Sequence, residues 1–223
     1  MISLLLPAGG IGARFGATIP KQLLLLAGVP IIRRSIDAFA GIADEAIVAA
    51  PADRIADVVA ACAGSRIPVQ VVPGGTTRQQ SVHAALRASR GDLILVHDAV
   101  RPLVQRASID ACIRALTDVD GAVVAVPCAA TIKRAGQDRQ IAATVPREGL
   151  WLAQTPQGFR RAAGLAAFAQ AEAEHWACTD DGEVLERAGF RVVLVPGNAC
   201  NLKITEPADL ALAEAILQAK TTV

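Results

Sequence analysis

Ile2-Ser3-Leu4-Leu5-Leu6-Pro7 runs straight into Ala8-Gly9-Gly10-Ile11-Gly12-Ala13-Arg14-Phe15, and Pro20-Lys21-Gln22 follows a few residues later. The first segment is short, nearly all apolar and closed by proline, the pattern of a strand buried on both faces. Clustered glycines carry no Cβ, so the backbone N–H groups after that strand can approach a phosphate closely. Arg14 and Lys21 add two cations where a polyphosphate would lie. The combination suits a nucleoside triphosphate, whose chemistry is mostly positioning and charge stabilisation. A plain surface loop also uses glycine at its turns but has no need of the cations.

The same rhythm continues outward. Ile2–Leu6, Glu45–Ala50, Val69–Val72, Leu93–His97 and Ala122–Val126 read as strands, each bounded by Pro, Gly or Asp. Helical patterns lie between them near Pro30–Ala40, Ala52–Ala63, Thr77–Ala88 and Ser108–Thr117, the last with Ser108 as a candidate cap. This alternation predicts a mostly parallel, doubly wound, Rossmann-like α/β sheet with helices on both faces. Ligands on such sheets bind beyond the carboxyl ends of the strands. The polar clusters fall there: the glycine loop after the first strand, Gly74-Gly75-Thr76-Thr77-Arg78 after the third, and Asp98-Ala99-Val100-Arg101-Pro102 after the fourth.

After Pro127 the order breaks. Ala129–Lys133 and Gln140–Val145 read as two strands around Arg134-Ala135-Gly136-Gln137-Asp138, a hairpin arm spanning about residues 129–149 and projecting from a single domain of residues 1–223. The sheet is expected to resume at Leu150–Gln154, with helices at Arg160–Glu174 and Asp181–Ala188, a strand at Val192–Val195 and a final helix over Pro207–Lys220.

Composition excludes several classes. The formal net charge of +1 gives no basic field for nucleic acid. Hydrophobic residues reach 52%, but the apolar runs are too short to span a bilayer, and the start lacks a signal-peptide pattern. A cytoplasmic protein is expected. Cys62, Cys112, Cys128, Cys178 and Cys200 contain no C-x-x-C pair, so neither a disulfide framework nor a zinc cage is indicated.

The glycine loop itself discriminates. Gly16 falls one residue late for G-x-G-x-x-G, and no acid closes the second strand to hold a ribose. Both facts count against a dinucleotide-dependent oxidoreductase, and the absence of Gly-Lys-Ser/Thr excludes a P-loop. The string P-A-G-G-x-G-x-R-F…P-K-Q resembles nucleotidyltransferases that activate sugars and alcohol phosphates. Further motifs narrow the resemblance: Gly74-Gly75-Thr76-Thr77-Arg78-Gln79-Gln80-Ser81-Val82, Val96-His97-Asp98-Ala99-Val100-Arg101-Pro102, Thr155-Pro156-Gln157, Thr179-Asp180-Asp181 and Asn201-Leu202-Lys203-Ile204-Thr205. Together they are similar to the 2-C-methyl-D-erythritol 4-phosphate cytidylyltransferase family of the non-mevalonate isoprenoid pathway.

The resemblance implies cytidylyl transfer from CTP to the polyol phosphate, with Mg²⁺ and with Arg14 and Lys21 as the catalytic cations. It implies a CTP site at Ala8, Gly9, Gly10, Gly12, Gly75, Thr76, Arg78 and Ser81. It implies an acceptor site at Asp98, Arg101, Thr131, Arg147, Thr155, Thr179 and Lys203, with Asp98 also the candidate metal ligand. Thr131 and Arg147 would reach the substrate of a neighbouring subunit, in a homodimer built through the arm. Relatives commonly have an acid at Thr76 and an Asp at Ala130 and Cys200, and Pro146 replaces a more usual polar residue. A ribitol 5-phosphate cytidylyltransferase is the nearest alternative, and a nucleotide-binding module without catalysis a further one. An Asp98–Arg101 ion pair is the plain structural reading of that loop, and His97 is expected to orient it.

Overall fold

The computed structural model describes residues 1–10 and 19–221. The strands in chain order are β1 (Ile2–Pro7), β2 (Leu25–Leu26), β3 (Val29–Pro30), β4 (Glu45–Ala50), β5 (Val69–Pro73), β6 (Leu93–Val96), β7 (Gly121–Pro127), β8 (Ile132–Ala135), β9 (Ile141–Val145), β10 (Trp151–Arg160) and β11 (Val192–Pro196). The helices are α1 (Ile31–Asp37), α2 (Ile55–Cys62), α3 (Arg78–Ala88), α4 (Arg106–Ala115), α5 (Arg161–Ala173), α6 (Asp181–Arg187) and α7 (Pro207–Thr221). Among the described residues a seven-stranded sheet has the order β11-β7-β10-β6-β1-β4-β5. All of its neighbours pair in parallel except β10, which runs antiparallel to both β6 and β7.

Alternation along the strands divides the core. Leu4 and Leu6 of β1, Ala46 and Val48 of β4 and Leu95 of β6 face Ile32, Ile36, Val58, Ile109 and Cys112, which come from α1, α2 and α4. Leu5, Ile47, Ile94 and Val96 point the other way, onto Val82 and Leu86 of α3, Phe168 of α5 and Leu185 of α6. Both faces are therefore covered, which is why the strands are mostly apolar; the buried Ser3 and Glu45 at the start of β1 and β4 satisfy each other at 2.7 Å. A third cluster of Leu26, Ile31, Val100, Leu103, Ile204 and Ala213 seats α7 beside the carboxyl edge.

Four local expectations need correction. The strand expected at Leu150–Gln154 is a ten-residue element, β10, that continues through Pro156; its register shifts between Ala153 and Gln157, so the proline sits where regular pairing is interrupted. Helix α4 begins at Arg106 with Gln105 at its N-cap, so the buried Ser108 lies inside the first turn and does not cap it. A small hairpin, β2–β3, precedes α1 where the sequence pattern shows no strand. In the arm, β8 and β9 pair antiparallel as a separate, largely exposed sheet; its first strand is Ile132–Ala135 where Ala129–Lys133 was expected, so Arg134 and Ala135 belong to the strand and not to the turn. Among the described residues no helix is long and apolar enough to cross a membrane.

Gly164 shows how tightly α5 meets the sheet. A Cβ there would lie 2.3 Å from Cε2 of the buried Phe159 ring. Alanine favours a helix interior over glycine by about 1 kcal/mol, yet this overlap forces the ring to move. Gly164→Ala is expected to destabilise the fold by about 1–2 kcal/mol in urea unfolding, the opposite sign to propensity alone.

Candidate active site

Following β1 to β4 and β5, the chain then crosses back to place β6 on the other side of β1. The β1/β6 boundary is thus a topological switch point, where the loops leaving adjacent strands diverge and open a crevice. The loops after β1, β5 and β6 meet there around a cleft of about 310 Å³.

The start of the glycine loop is held by main-chain and side-chain contacts. Ala8 N–H donates to Ala49 O at 2.8 Å, extending the β1–β4 pairing, and the buried Gln22 donates Nε2 to Ala8 O at 2.7 Å. Gln22 thereby ties the Lys21 turn, Lys21–Leu23, to the loop.

The loop after β5 is shaped by a capping box on α3. Thr77 Oγ1 accepts the N–H of Gln80 at 3.1 Å, and Gln80 Oε1 accepts the N–H of Thr77 at 3.2 Å and of Thr76 at 3.0 Å. Thr76 also donates its hydroxyl to Gln80 Oε1. Buried Ser81 accepts from Gly75 N–H at 3.2 Å and donates to Thr77 O at 2.9 Å. Glycine is required at Gly75, where a Cβ would stand 2.3 Å from Gln80 Cβ, in the middle of this cap.

The loop after β6 hangs on a directed chain. Asp98 N–H donates to Thr155 Oγ1 at 3.1 Å, and Thr155 Oγ1 lies 2.9 Å from His97 Nδ1. His97 Nε2 lies 3.0 Å from Arg101 O. A carbonyl only accepts, so Nε2 carries the proton and Nδ1 accepts from Thr155. Burial pushes the His97 pKa down to about 4, so the ring stays neutral and orients the loop.

Asp98 is the electrostatic hub. Its carboxylate is nearly buried, with the side chain 9% exposed, and three cations surround it. Arg101 Nε and Lys203 Nζ each approach Oδ2 at 3.1 Å, and Arg78 Nε lies 3.8 Å from Oδ1. Burial would raise the carboxyl pKa, but Lys203, Arg78 and Arg101 overcome it and hold the group well below the usual carboxylate range. Arg78 is also gripped in a fork by Asp181, at 3.0 and 2.7 Å. Burial disfavours the Arg78 cation, but Asp181 first and Asp98 next hold its proton more firmly than usual. Burial pushes the Asp181 carboxyl up, and Arg78 pulls against that; facing a guanidinium that keeps its proton, the pair is ionic.

The structure brings Ala8, Gly9, Gly10 and Lys21 to the cleft wall opposite Gly75, Thr76, Arg78 and Ser81, with Asp98 and Lys203 also lining it. Gly12 and Arg14 lie outside the described residues. Other expected residues do not line the cleft. Arg101 is engaged by Asp98 and donates Nη1 to Asn201 O at 2.8 Å, the plain structural reading of that loop. Thr155 is buried beneath the loop in the His97 chain. Thr179 donates its hydroxyl to Glu183 Oε2 ahead of α6. Thr131 is exposed next to β8 in the arm, and Arg147 at the arm's base donates to Ala129 O.

Four supporting residues stand inside the sequence motifs without a role that the motifs disclose: Gln22, Gln157, Asp181 and Asn201. Asn201 is fully buried and donates Nδ2 to Thr155 O at 2.8 Å and to Gln154 Oε1 at 3.2 Å. A buried amide inside a short extended segment is its only sequence signal.

Among the described residues no group of three or more His, Cys, Asp or Glu could cage a metal. Asp98 offers a single carboxylate to the cleft, and its Oδ1 is the less engaged oxygen. Three cations already face that carboxylate, so Mg²⁺ arriving with a polyphosphate would take most of its ligands from phosphate and water.

An open α/β sheet with a glycine loop, a lysine and further cations at its switch point defines a nucleotidyltransferase-type site. The family model for 2-C-methyl-D-erythritol 4-phosphate cytidylyltransferase matches residues 2–219. Curated relatives of that name from Deinococcus radiodurans and Chromobacterium violaceum are each 45% identical, over 95% and 97% of this chain and 88% and 97% of theirs. The solved structure of that name from Thermus thermophilus is 34% identical with a TM-score of 0.81, covering 97% of this chain and 98% of that one. The chain belongs to the 2-C-methyl-D-erythritol 4-phosphate cytidylyltransferase family.

Proposed function

We propose that this chain transfers the cytidylyl group of CTP to 2-C-methyl-D-erythritol 4-phosphate, giving CDP-methylerythritol and pyrophosphate. The observation that carries this reading is the family match along nearly the whole chain, with Gly9, Gly10, Lys21, Arg78 and Lys203 converging on one cleft. A phosphate oxygen of the acceptor attacks the α-phosphorus of CTP in line. A new P–O bond forms as the bond to the β-phosphate bridging oxygen breaks, and the electron pair leaves with pyrophosphate.

The protein's part is electrostatic. Loop N–H groups and Lys21 hold the triphosphate, joined by Arg14 from outside the described residues. Gly75, Thr76 and Ser81 shape the wall for the nucleoside, with Arg78 above it. Lys203 draws the acceptor phosphate, and Asp98 accepts from the diol. An ionised phosphate nucleophile needs no strong base, which agrees with a neutral, buried His97. Bound Mg²⁺ would be held by the phosphates with Asp98 as its protein ligand, and would supply charge neutralisation to the triphosphate. Thr131 and Arg147 act across a homodimer whose contact is the exposed arm, reaching the acceptor of the neighbouring subunit.

The test is a side-by-side assay with CTP, Mg²⁺ and either methylerythritol phosphate or ribitol 5-phosphate, reading pyrophosphate release. The expected result is release with methylerythritol phosphate at the higher kcat/KM. Equal or greater efficiency with ribitol phosphate would move the chain to the other acceptor class. No release with either would leave only nucleotide binding.

A further inference from the structure

Arg78 is set by a chain of contacts that begins on a different strand. Gln157 of β10 turns its amide toward the start of α6. Its Oε1 accepts the N–H groups of Asp181 and Gly182, both at 2.9 Å, and its Nε2 donates to Asp180 Oδ2 at 3.0 Å. Asp180 in turn caps α6, with Oδ1 accepting from Glu183 N–H at 2.9 Å. The buried Gln157 thus satisfies two otherwise unpaired helix N–H donors and fixes the rotation of the first turn. That rotation points the Asp181 carboxylate at Arg78, which it meets with both oxygens. Close packing leaves little slack: a Cβ on Gly182 would sit 2.7 Å from Val123 Cγ2. Asp181 is 1% exposed, and Arg78 ends at the cleft wall.

We propose that Gln157 and Asp181 are positioning residues for this reaction: Gln157 orients the first turn of α6, Asp181 locks the Arg78 fork, and Arg78 meets the nucleotide in one fixed orientation. The relay rests on the reading that CTP lies against Arg78. Its benefit is preorganisation. A long arginine side chain ordered before binding loses no further rotamer freedom when the nucleotide arrives. The fork also neutralises most of the guanidinium charge. Arg78 then serves by placing its N–H groups, and Lys21 remains the compact charge on the polyphosphate side.

The experiment is a double-mutant cycle on the full-length enzyme with CTP, Mg²⁺ and acceptor. The variants are Gln157→Ala, Asp181→Asn, Arg78→Ala and the two doubles carrying Arg78→Ala. Gln157→Ala and Asp181→Asn are each expected to lower kcat/KM about 10-fold, chiefly through a higher KM for CTP. A mere loss of folded enzyme would lower kcat at unchanged KM. In the Arg78→Ala background either change is expected to lower kcat/KM no further, because the group they position is gone. Asp181→Asn keeps the backbone N–H on Gln157 and the side-chain shape, so it carries the test if Gln157→Ala fails to fold. Effects that multiply, or a wild-type KM for CTP in Asp181→Asn, overturn the relay alone. Wild-type kcat/KM in Arg78→Ala itself overturns the placement of CTP against Arg78, and the relay with it.

Discussion

Lys21→Ala lowers the turnover rate by a factor on the order of 10² or more while leaving the fold intact. Lys21 lines the cleft beside Gly9 and Gly10 and across from Arg78 and Lys203. As the α-phosphorus is attacked, negative charge grows on its nonbridging oxygens and on the departing pyrophosphate. An ammonium on the cleft wall interacts more strongly with that growing charge than with the ground state, which is the condition for raising kcat. A 10²-fold loss corresponds to about 2.7 kcal/mol of transition-state stabilisation. The turn keeps its tie through Gln22 to the Ala8 carbonyl, while the charge that Lys21 sets against Asp209 is lost, a cost that unfolding reads separately from turnover. Single-turnover pyrophosphate release alongside thermal unfolding checks both halves. Lys21→Arg should restore part of the rate, since charge returns without the compact ammonium. Near wild-type turnover in correctly folded Lys21→Ala would remove this cation from the chemistry.

The strands that carry the site were legible for a simple reason. A strand covered by helices on both faces is nearly all apolar, so β1, β4, β5, β6 and β7 stand out as apolar blocks with Ser3, Glu45 and Gln70 as their polar exceptions, and the polar residues just beyond them mark the carboxyl edge. β10 was only half visible. It contains Thr155, Pro156 and Gln157, which lie beyond the strand expected at Leu150–Gln154, and its direction reverses that of its neighbours. Nothing in a local pattern encodes direction; it follows from the arm, which returns the chain to the sheet at the edge where β7 left it, with Trp151 opposite Pro127. β2–β3 was missed because two-residue strands leave no period to read.

Within the site the same division holds. Residues that stand in the loops after strands were placed at the cleft by topology alone. The contacts that fix their side chains join residues far apart in sequence: Arg78 with Asp181, Asp98 with Lys203, and Arg101 with Asn201. A motif can display both members of such a pair without saying that they meet. Arg101 illustrates the consequence. From the loop sequence it reads equally as a phosphate ligand or as a partner of Asp98, and only the packing of Asn201 behind it shows how its donors are used.

Asp98→Asn destabilises the protein by about 3 kcal/mol at neutral pH and lowers the melting temperature by about 6–12 °C. The substitution keeps size and shape but removes an anion that Arg101, Lys203 and Arg78 all face. Breaking a buried ion pair is costly because the partners keep their charge and lose its compensation. The loss falls at the lower end of that class for two reasons: Arg78 retains Asp181, and Lys203, 43% exposed, can turn to water. The pH dependence gives an independent check. The Asp98 pKa is depressed in the folded state, so its stabilisation is complete above the ordinary carboxylate range and is lost as pH falls toward the native value. The stability gap between wild type and Asp98→Asn, measured by urea unfolding, should be constant from about pH 6 to 8 and narrow by on the order of 1 kcal/mol per pH unit below about pH 4. A gap that widens on acidification would have the wrong sign for a depressed carboxyl. Equal stability at neutral pH would mean that desolvating four charged groups already cancels their attraction, and that Asp98 holds its three cations for the reaction without holding the fold.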